Sequence, residues 1–251
     1  MTDNAEQTRS HAHEIEVDVP PEVVWRAITE ASELTRWYVA DATVQPGEGG
    51  SFQLSWGSGE TAQSRVDVWD ERRRLRLIEK SEVDSGPIVE EWTIDVRGGH
   101  TVLRIVHSGI PATADWDDFY HSTDHGWEMF LCTLRHYLHR HLGRSRRTLV
   151  ASIDVARSDD TWRRLLDAVE IAGPDRYAAG ELLAGQVLLR MPDRVLVLTI
   201  DRLDDAVLSI ALEPTAKGTT VWAQLSAYGP ATERLDEVEA PWRAWLDKVV
   251  C

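Results

Sequence analysis

Apolar residues recur along Asp124–Leu142 at Trp127, Phe130, Leu131, Leu134, Leu138 and Leu142. Steps of three and four hold these side chains on one stripe of an α-helix, and Glu128, Arg135, His136, His139 and Arg140 fall on its other faces. Ser122 or Asp124 is placed to cap the start, and Gly143 stands where helices commonly stop. Roughly 19 residues at ~1.5 Å each make a rod of about 28 Å, long enough to cross a small domain. Such a rod needs an apolar surface to cover its stripe.

The preceding residues supply that surface as strands. Ile15, Val17 and Val19 alternate on one face, and Pro20 and Pro21 end the run. Val23, Val24, Ala27 and Ile28 then share one side of a short helix over 22–31, with Trp25 extending that face or bracing the strand, and a second short helical turn spans 32–37. Period-two patterns follow at Phe52, Leu54 and Trp56, at Val66 and Val68, and at Leu75 and Leu77. They continue through Ile88–Val96, with Trp92 and Ile94 in register, and end at Leu103, Ile105 and His107. Turn signals at Gly57–Glu60 and at Gly98–Gly99 join neighbouring runs, which predicts an antiparallel meander of about six strands. Residues 109–121 read as a loop carrying Asp115, Asp117 and Asp118. The fold class is α+β: a curved antiparallel sheet covered by one long helix, with a cleft between them where ligands commonly bind.

Composition narrows the function. The chain has 251 residues, 43% hydrophobic and 27% charged, as an ordinary globular protein has. A net charge of −15 opposes nucleic-acid binding, and the basic runs Arg72–Arg74 and Arg140–Arg147 are short enough to be a strand edge and a linker. No apolar run has the length of a membrane span, and the polar start lacks the apolar segment of a signal peptide, so residues 1–12 read as a loose arm. Two cysteines, Cys132 and Cys251, give no disulfide framework, and a cytoplasmic location with reduced thiols is the expectation. The three lysines against 24 arginines suggest a bacterial source.

Candidate chemistry is sparse. His121 and His125, four apart, and His136, His139 and His141 have helical spacing but lack a companion carboxylate at ligand spacing, so neither metal nor cofactor is expected. Asp115, Asp117 and Asp118 lack the glycine and distal glutamate of a calcium loop. Glu90 and Glu91 are strand neighbours on opposite faces. Glu90 shares parity with Trp92, so it faces inward toward Arg104 or His107, or else lies at a strand end open to water. His107 shares parity with Leu103 and Ile105, as a satisfied core histidine or as a pocket group that orients a ligand or passes a proton. Cys132 lies off the stripe without a base beside it.

Four segments together carry a family resemblance: PPEVVWRAITEASELTRWY, GGSFQLSW, TVLRIVHSGIP and HGWEMFLCTLRHYL, in that order from His13 to Gly143. They resemble the activator-of-Hsp90-ATPase homologue family, C-terminal-domain type, within the START-like (SRPBCC, Bet v 1-like) helix-grip superfamily. That resemblance implies a helix-grip domain over 13–143. It also implies a pocket for a small, mainly apolar or aromatic ligand, lined by Trp37, Phe52, Leu54, Trp56, Trp92, Ile94, His107, Phe119, Trp127, Phe130, Leu131 and Leu134. No catalytic constellation stands out. Two other roles come with the superfamily: a co-chaperone-like module for a protein partner or a homodimer, and a cyclase- or hydrolase-like enzyme using His107 and Glu90 as acid and base.

The second half repeats the plan. SIDVARSDDTWR echoes EVDVPPEVVWR, equating Val17, Asp18, Val19 and Trp25 with Ile153, Asp154, Val155 and Trp162. The strand after Gly218, with Val221, Ala223 and Leu225, parallels the one after Gly99, and APWRAWLDKVV echoes HGWEMFLCTL. The shorter spacing predicts a degenerate, shortened copy over 149–251, lacking one hairpin, after a linker at 144–148. Its expected role is packing or dimerisation.

Overall fold

A computed structural model describes residues 7–57, 59–79, 86–155, 158–172, 175–180, 183–215 and 218–251. The chain divides between Gly143 and Arg144 into two units.

In the first unit, strand β1 (Thr8–Val17) leads into α1 (Pro21–Thr29) and α2 (Ala31–Trp37). The strands β2 (Asp41–Gln45), β3 (Ser51–Ser55), β4 (Thr61–Asp70), β5 (Arg74–Glu79), β6 (Val89–Arg97) and β7 (His100–Pro111) follow, and α3 (Asp117–His136) closes the unit. All pairings are antiparallel, in the order β1-β7-β6-β5-β4-β3-β2. Proline opens α1 at its first turn, where the missing N–H costs nothing. Val24, Ala27 and Ile28 on that helix are buried.

α3 fixes the architecture. Trp127, Leu131, Leu134 and Leu138 are buried, as the stripe requires, while Leu142 is 43% exposed because it lies past the helix. The helix opens into a wider π turn over Tyr137–His141, which removes Leu142 from the α-helical register. Tyr137 anchors this end: its hydroxyl donates to Glu33 Oε2 on α2 at 2.6 Å and accepts the Gly143 N–H at 3.0 Å. Gly143 sits at φ 75, the left-handed conformation that ends helices.

Several expected boundaries move. α3 starts at Asp117, so Ser122 and Asp124 lie inside the helix rather than capping it. Asp117 and Asp118 therefore occupy its first turn, where negative charge suits the helix dipole, and Asp117 holds Arg9 at 2.6 Å. β1 begins at Thr8, taking in residues that polarity alone assigned to a loose arm: its outer face is solvated, and the inner face carries His11 and His13 before Ile15. β2, with its alternately exposed pattern, gives no strong apolar signal and lies outside the runs read from periodicity, and six strands follow α2 as expected.

The second unit has the same topology. β8 (Arg146–Val155), α4 (Ser158–Ala168), β9 (Glu170–Ala172), β10 (Arg176–Ala179), β11 (Leu183–Met191), β12 (Val195–Ile200), β13 (Ala206–Thr215), β14 (Gly218–Tyr228) and α5 (Leu235–Val250) succeed one another. Their sheet order is β8-β14-β13-β12-β11-β10-β9, again seven strands, so no hairpin is missing. The shortening lies in one helix where the first unit has two, in the three-residue β9 and four-residue β10, and in a shorter closing helix. Strands that short carry too few residues to show a period. β8 begins inside the expected linker. Pairing opposite Thr101 and Thr219 equates Val17 with Val155, two residues beyond the match read from sequence.

The buried stripe yields a stability contrast. Leu134 is 0% exposed, so Leu134→Ala is expected to cost about 2–5 kcal/mol in chemical denaturation. Leu142→Ala is expected to stay within about 0.5 kcal/mol of wild type. Equal losses would mean that α3 does not bury the stripe described.

Candidate functional site

A pocket of about 270 Å³ lies between the amino-terminal half of α3 and the concave face of the first sheet. Its apolar wall is built from Tyr38, Leu54, Trp56, Leu77, Phe119, Trp127 and Phe130, with Ala62 and Gly126 leaving room. The rings brace one another. Tyr38 meets Phe130 edge-on at 4.8 Å and Trp56 at 5.5 Å, and stacks on Trp37 at 4.9 Å. Such contacts fix the wall's shape as well as burying its area.

One end of the pocket is polar. His107 on β7 pairs in register with Glu90 on β6 and with His11 on β1, so one row of inward-facing side chains crosses three strands. Glu79, at the end of β5, joins them, and its carboxylate lies 2.9 Å from His107 Nε2. The indole N–H of Trp127 approaches His107 Nδ1 at 3.3 Å. An indole only donates, so Nδ1 accepts, and His107 carries its proton on Nε2 and donates it to Glu79. His107 is 1% exposed, so this satisfied ring is fixed in place.

Glu90 is the electrostatically unusual member. Burial pushes its carboxyl up to about 7; His107 opposes the rise, Glu79 adds to it, and a hydrogen bond from Trp92 opposes it. Burial, with Glu90 and Glu79 nearby, also holds the Tyr38 hydroxyl well above its ordinary value. On the far side of His107, burial and the His107 charge bring His11 down to about 4. Burial pushes the Cys132 thiol up to about 11, which leaves it unreactive.

The expected lining residues divide into two groups. Leu54, Trp56, His107, Phe119, Trp127 and Phe130 border the pocket. Trp37, Phe52, Trp92, Ile94, Leu131 and Leu134 are buried in the core behind or beside it. Trp37 gives its indole N–H to Ala27 O at 2.8 Å, and Trp92 packs edge-on against Trp127 at 5.2 Å, so both support the wall without facing the space. Glu90 meets His107, while Arg104, at neighbouring parity, pairs with Thr93 and Glu14 in the ladder. Glu79, Tyr38 and the α3 residues Ser122, Thr123 and Gly126 escaped sequence reading, because parity could not be assigned across a loop or a mis-set helix start. His121 and His125 place their rings 6.4 Å apart on α3, and His139 is exposed and accepts the Asp18 N–H at 3.1 Å.

Glu90 makes stability depend on pH with a definite sign. A carboxyl raised to about 7 when folded binds its proton more tightly than in the unfolded chain, so its contribution is lost as pH rises from about 4.5 to about 7. His11 runs the other way, since its lowered value favours folding as pH rises through the same range. The two slopes oppose each other in wild type, so the difference between Glu90→Gln and wild type isolates Glu90. That variant is expected to gain stability relative to wild type between about pH 4.5 and pH 7, and to hold the gain above it. A difference that is flat with pH would mean that Glu90 titrates normally.

No curated protein sequence matches the chain. Among solved structures, an HSP90 activator from Plasmodium falciparum is 26% identical, with 52% of this chain and 96% of that one covered and a TM-score of 0.45. DynU16, from the dynemicin biosynthetic locus, is 18% identical over 95% of this chain and 96% of its own, with a TM-score of 0.47. The di-domain ARO/CYC protein BexL of the BE-7585A biosynthetic pathway is 14% identical over 95% and 96%, with a TM-score of 0.46. Residues 18–139, from just past β1 through α3, match the family described as activator of Hsp90 ATPase homolog 1-like protein.

Proposed function

We propose that the first unit binds a small, mainly apolar, ring-containing molecule in the pocket under α3, with the ligand's polar end against Glu90, Glu79 and His107. The observation that carries this reading is an aromatic-walled space of about 270 Å³ that ends on three polar side chains. A cavity of roughly 150 Å³ accepts benzene, so this one suits a molecule of about one or two rings. Gly126 supports the same reading. It lies within α3, where glycine costs about 1 kcal/mol relative to alanine, and a Cβ there would meet nothing nearer than Phe130 at 3.8 Å. The helix forgoes that stability at a position facing the pocket.

A second reading rests on Glu90 alone. A carboxyl near 7, within 4.8 Å of His107 and facing the same space, suits a general acid or base at neutral pH. Cyclase- or hydrolase-like chemistry on the bound molecule would use that pair. The co-chaperone reading has less support: Val96 and Leu142 are the large apolar side chains exposed among the described residues, and they form no broad patch.

Native mass spectrometry of gently purified protein is expected to show one small molecule per chain, released on denaturation. Gly126→Leu fills the space from the helix and is expected to lower retention at least tenfold while the fold is kept. Gly126→Ala is expected to raise stability by about 0.5–1 kcal/mol. Retention unchanged in Gly126→Leu would remove the pocket from consideration. Release of a chemically altered compound by wild type, but an unaltered one by Glu90→Gln, would select the catalytic reading.

A further inference from the structure

Outside the pocket, on the far side of His107, a second group of side chains converges where the edge strand β1 meets α3. His11 and His13 share the inward parity of β1, and Asp124 projects from the facing turn of α3. One ligand atom from each lies within 4.8 Å of the other two. His13 Nε2 is 2.9 Å from Asp124 Oδ1, and His11 Nδ1 is 3.9 Å from the same oxygen.

The hydrogen bonds around His11 determine what its Nδ1 offers. The Thr123 hydroxyl donates to helical carbonyls, Phe119 O at 2.8 Å and Tyr120 O at 3.2 Å. Its single proton is thereby used, so toward His11 Nε2, 3.1 Å away, its oxygen accepts. The imidazole proton is on Nε2, and Nδ1 presents a bare lone pair. That nitrogen is buried and has no hydrogen-bond partner among the described residues, in a residue only 8% exposed. A lone pair and a carboxylate oxygen thus face each other across 3.9 Å with no donor between them. A buried imidazole lone pair without a partner, beside a carboxylate oxygen, is costly unless a proton or a cation lies between them.

We propose that His11 Nδ1, His13 Nε2 and Asp124 Oδ1 form a binding site for a divalent ion of the zinc class. Two imidazoles and one carboxylate are the donors that zinc and its first-row neighbours take, and three protein ligands leave a position open for water. His13 moves its proton to Nδ1 when Nε2 binds the ion, so its present bond to Asp124 is exchanged for two metal bonds. Thr123 holds the other nitrogen of His11, the outer-shell support that metal-bound histidines commonly have. Entry is from solvent, since the side chains of His13 and Asp124 are 14% and 33% exposed. The neighbouring Glu79, Glu90 and His107 are equally close together but differ in kind: His107 spends one nitrogen on Glu79 and accepts Trp127 on the other.

The full chain, stripped with chelator, would be titrated with Zn²⁺ by calorimetry and with Co²⁺ by absorption. One equivalent per chain is expected, and Co²⁺ should show the ligand-field bands of a four- or five-coordinate site. Asp124→Asn, at a partly exposed position that the fold tolerates, is expected to weaken binding at least tenfold, and so is His11→Gln. Thr123→Val keeps all three ligands and is expected to cost about 10–100-fold. His139→Asn is expected to have no effect. Binding weaker than about 1 mM, or binding unchanged in Asp124→Asn, would overturn the site. Loss of the ion in Glu90→Gln with Asp124→Asn unaffected would place it in the pocket and overturn the assignment equally.

Discussion

The first unit depends on one helix being packed by its apolar stripe at one end and held to a strand edge by polar contacts at the other. Leu131, Leu134 and Leu138 bury the carboxy-terminal half of α3, and Tyr137 ties that end to α2 through Glu33. Complete burial of this kind contributes on the order of 1.5–3 kcal/mol for each large side chain, and it fixes where the rest of the rod lies. The amino-terminal half is held at the β1 edge, through Arg9, His11 and His13, and leaves the pocket over the middle of the sheet. Gly126 and Ala62 leave the gap, and Tyr38, Trp56, Trp127 and Phe130 keep it from collapsing because rigid rings resist being pushed inward. A cavity in a close-packed protein forfeits contacts on every wall. Its persistence here follows from the strength of the anchor beyond it.

Placing polar groups at the end of that cavity has its own cost, and the ladder register limits it. Because His11, His107 and Glu90 are direct cross-strand neighbours, their side chains meet without any change in backbone. Each needs a partner in a region that excludes water, and the aromatic wall provides two of them, the indoles of Trp127 and Trp92. The same tryptophans that shape the apolar space therefore orient the histidine and carboxyl at its end. Shape and polarity in this pocket are not independent.

Much of this was legible in the sequence, within a limit set by what periodicity reports. Spacing identified the α3 stripe, the face of each strand, and His107 and Glu90 as inward-facing. It could not resolve depth: Phe52, Trp92 and Ile94 have the same parity as pocket residues but lie in the packed layer. Nor could it find helix where polarity dominates, so residues 117–121 of α3 read as loop although Phe119 serves the pocket from there. The polar start of β1 hid His11 and His13 for the same reason, since one of its faces meets solvent and the other turns its histidines toward a polar turn of α3. A metal search by sequence spacing along one helix had no means of joining two strand residues to an aspartate more than a hundred positions away.

The second unit shows what the fold becomes when the polar row is removed. Thr219 pairs with Val155 as Thr101 pairs with Val17, and six residues further along the ladders the positions of His11, His107 and Glu90 are held by Leu149, Leu225 and Leu208. All three leucines are buried in one continuous core. Trp242, the counterpart of Trp127 in the repeated helix motif, is fully buried, and its indole N–H has no partner among the described residues. In the first unit that N–H is satisfied by His107, and its orphaned counterpart costs about 1–3 kcal/mol. An apolar core built from the start would have little reason to keep a tryptophan donor with no acceptor. The arrangement is accounted for if the tryptophan belongs to the helix-grip plan shared by both halves and the histidine opposite it has been replaced. Leucine in that row gains burial and loses the polar groups, so the polar row and the pocket it borders belong to the first unit among the described residues.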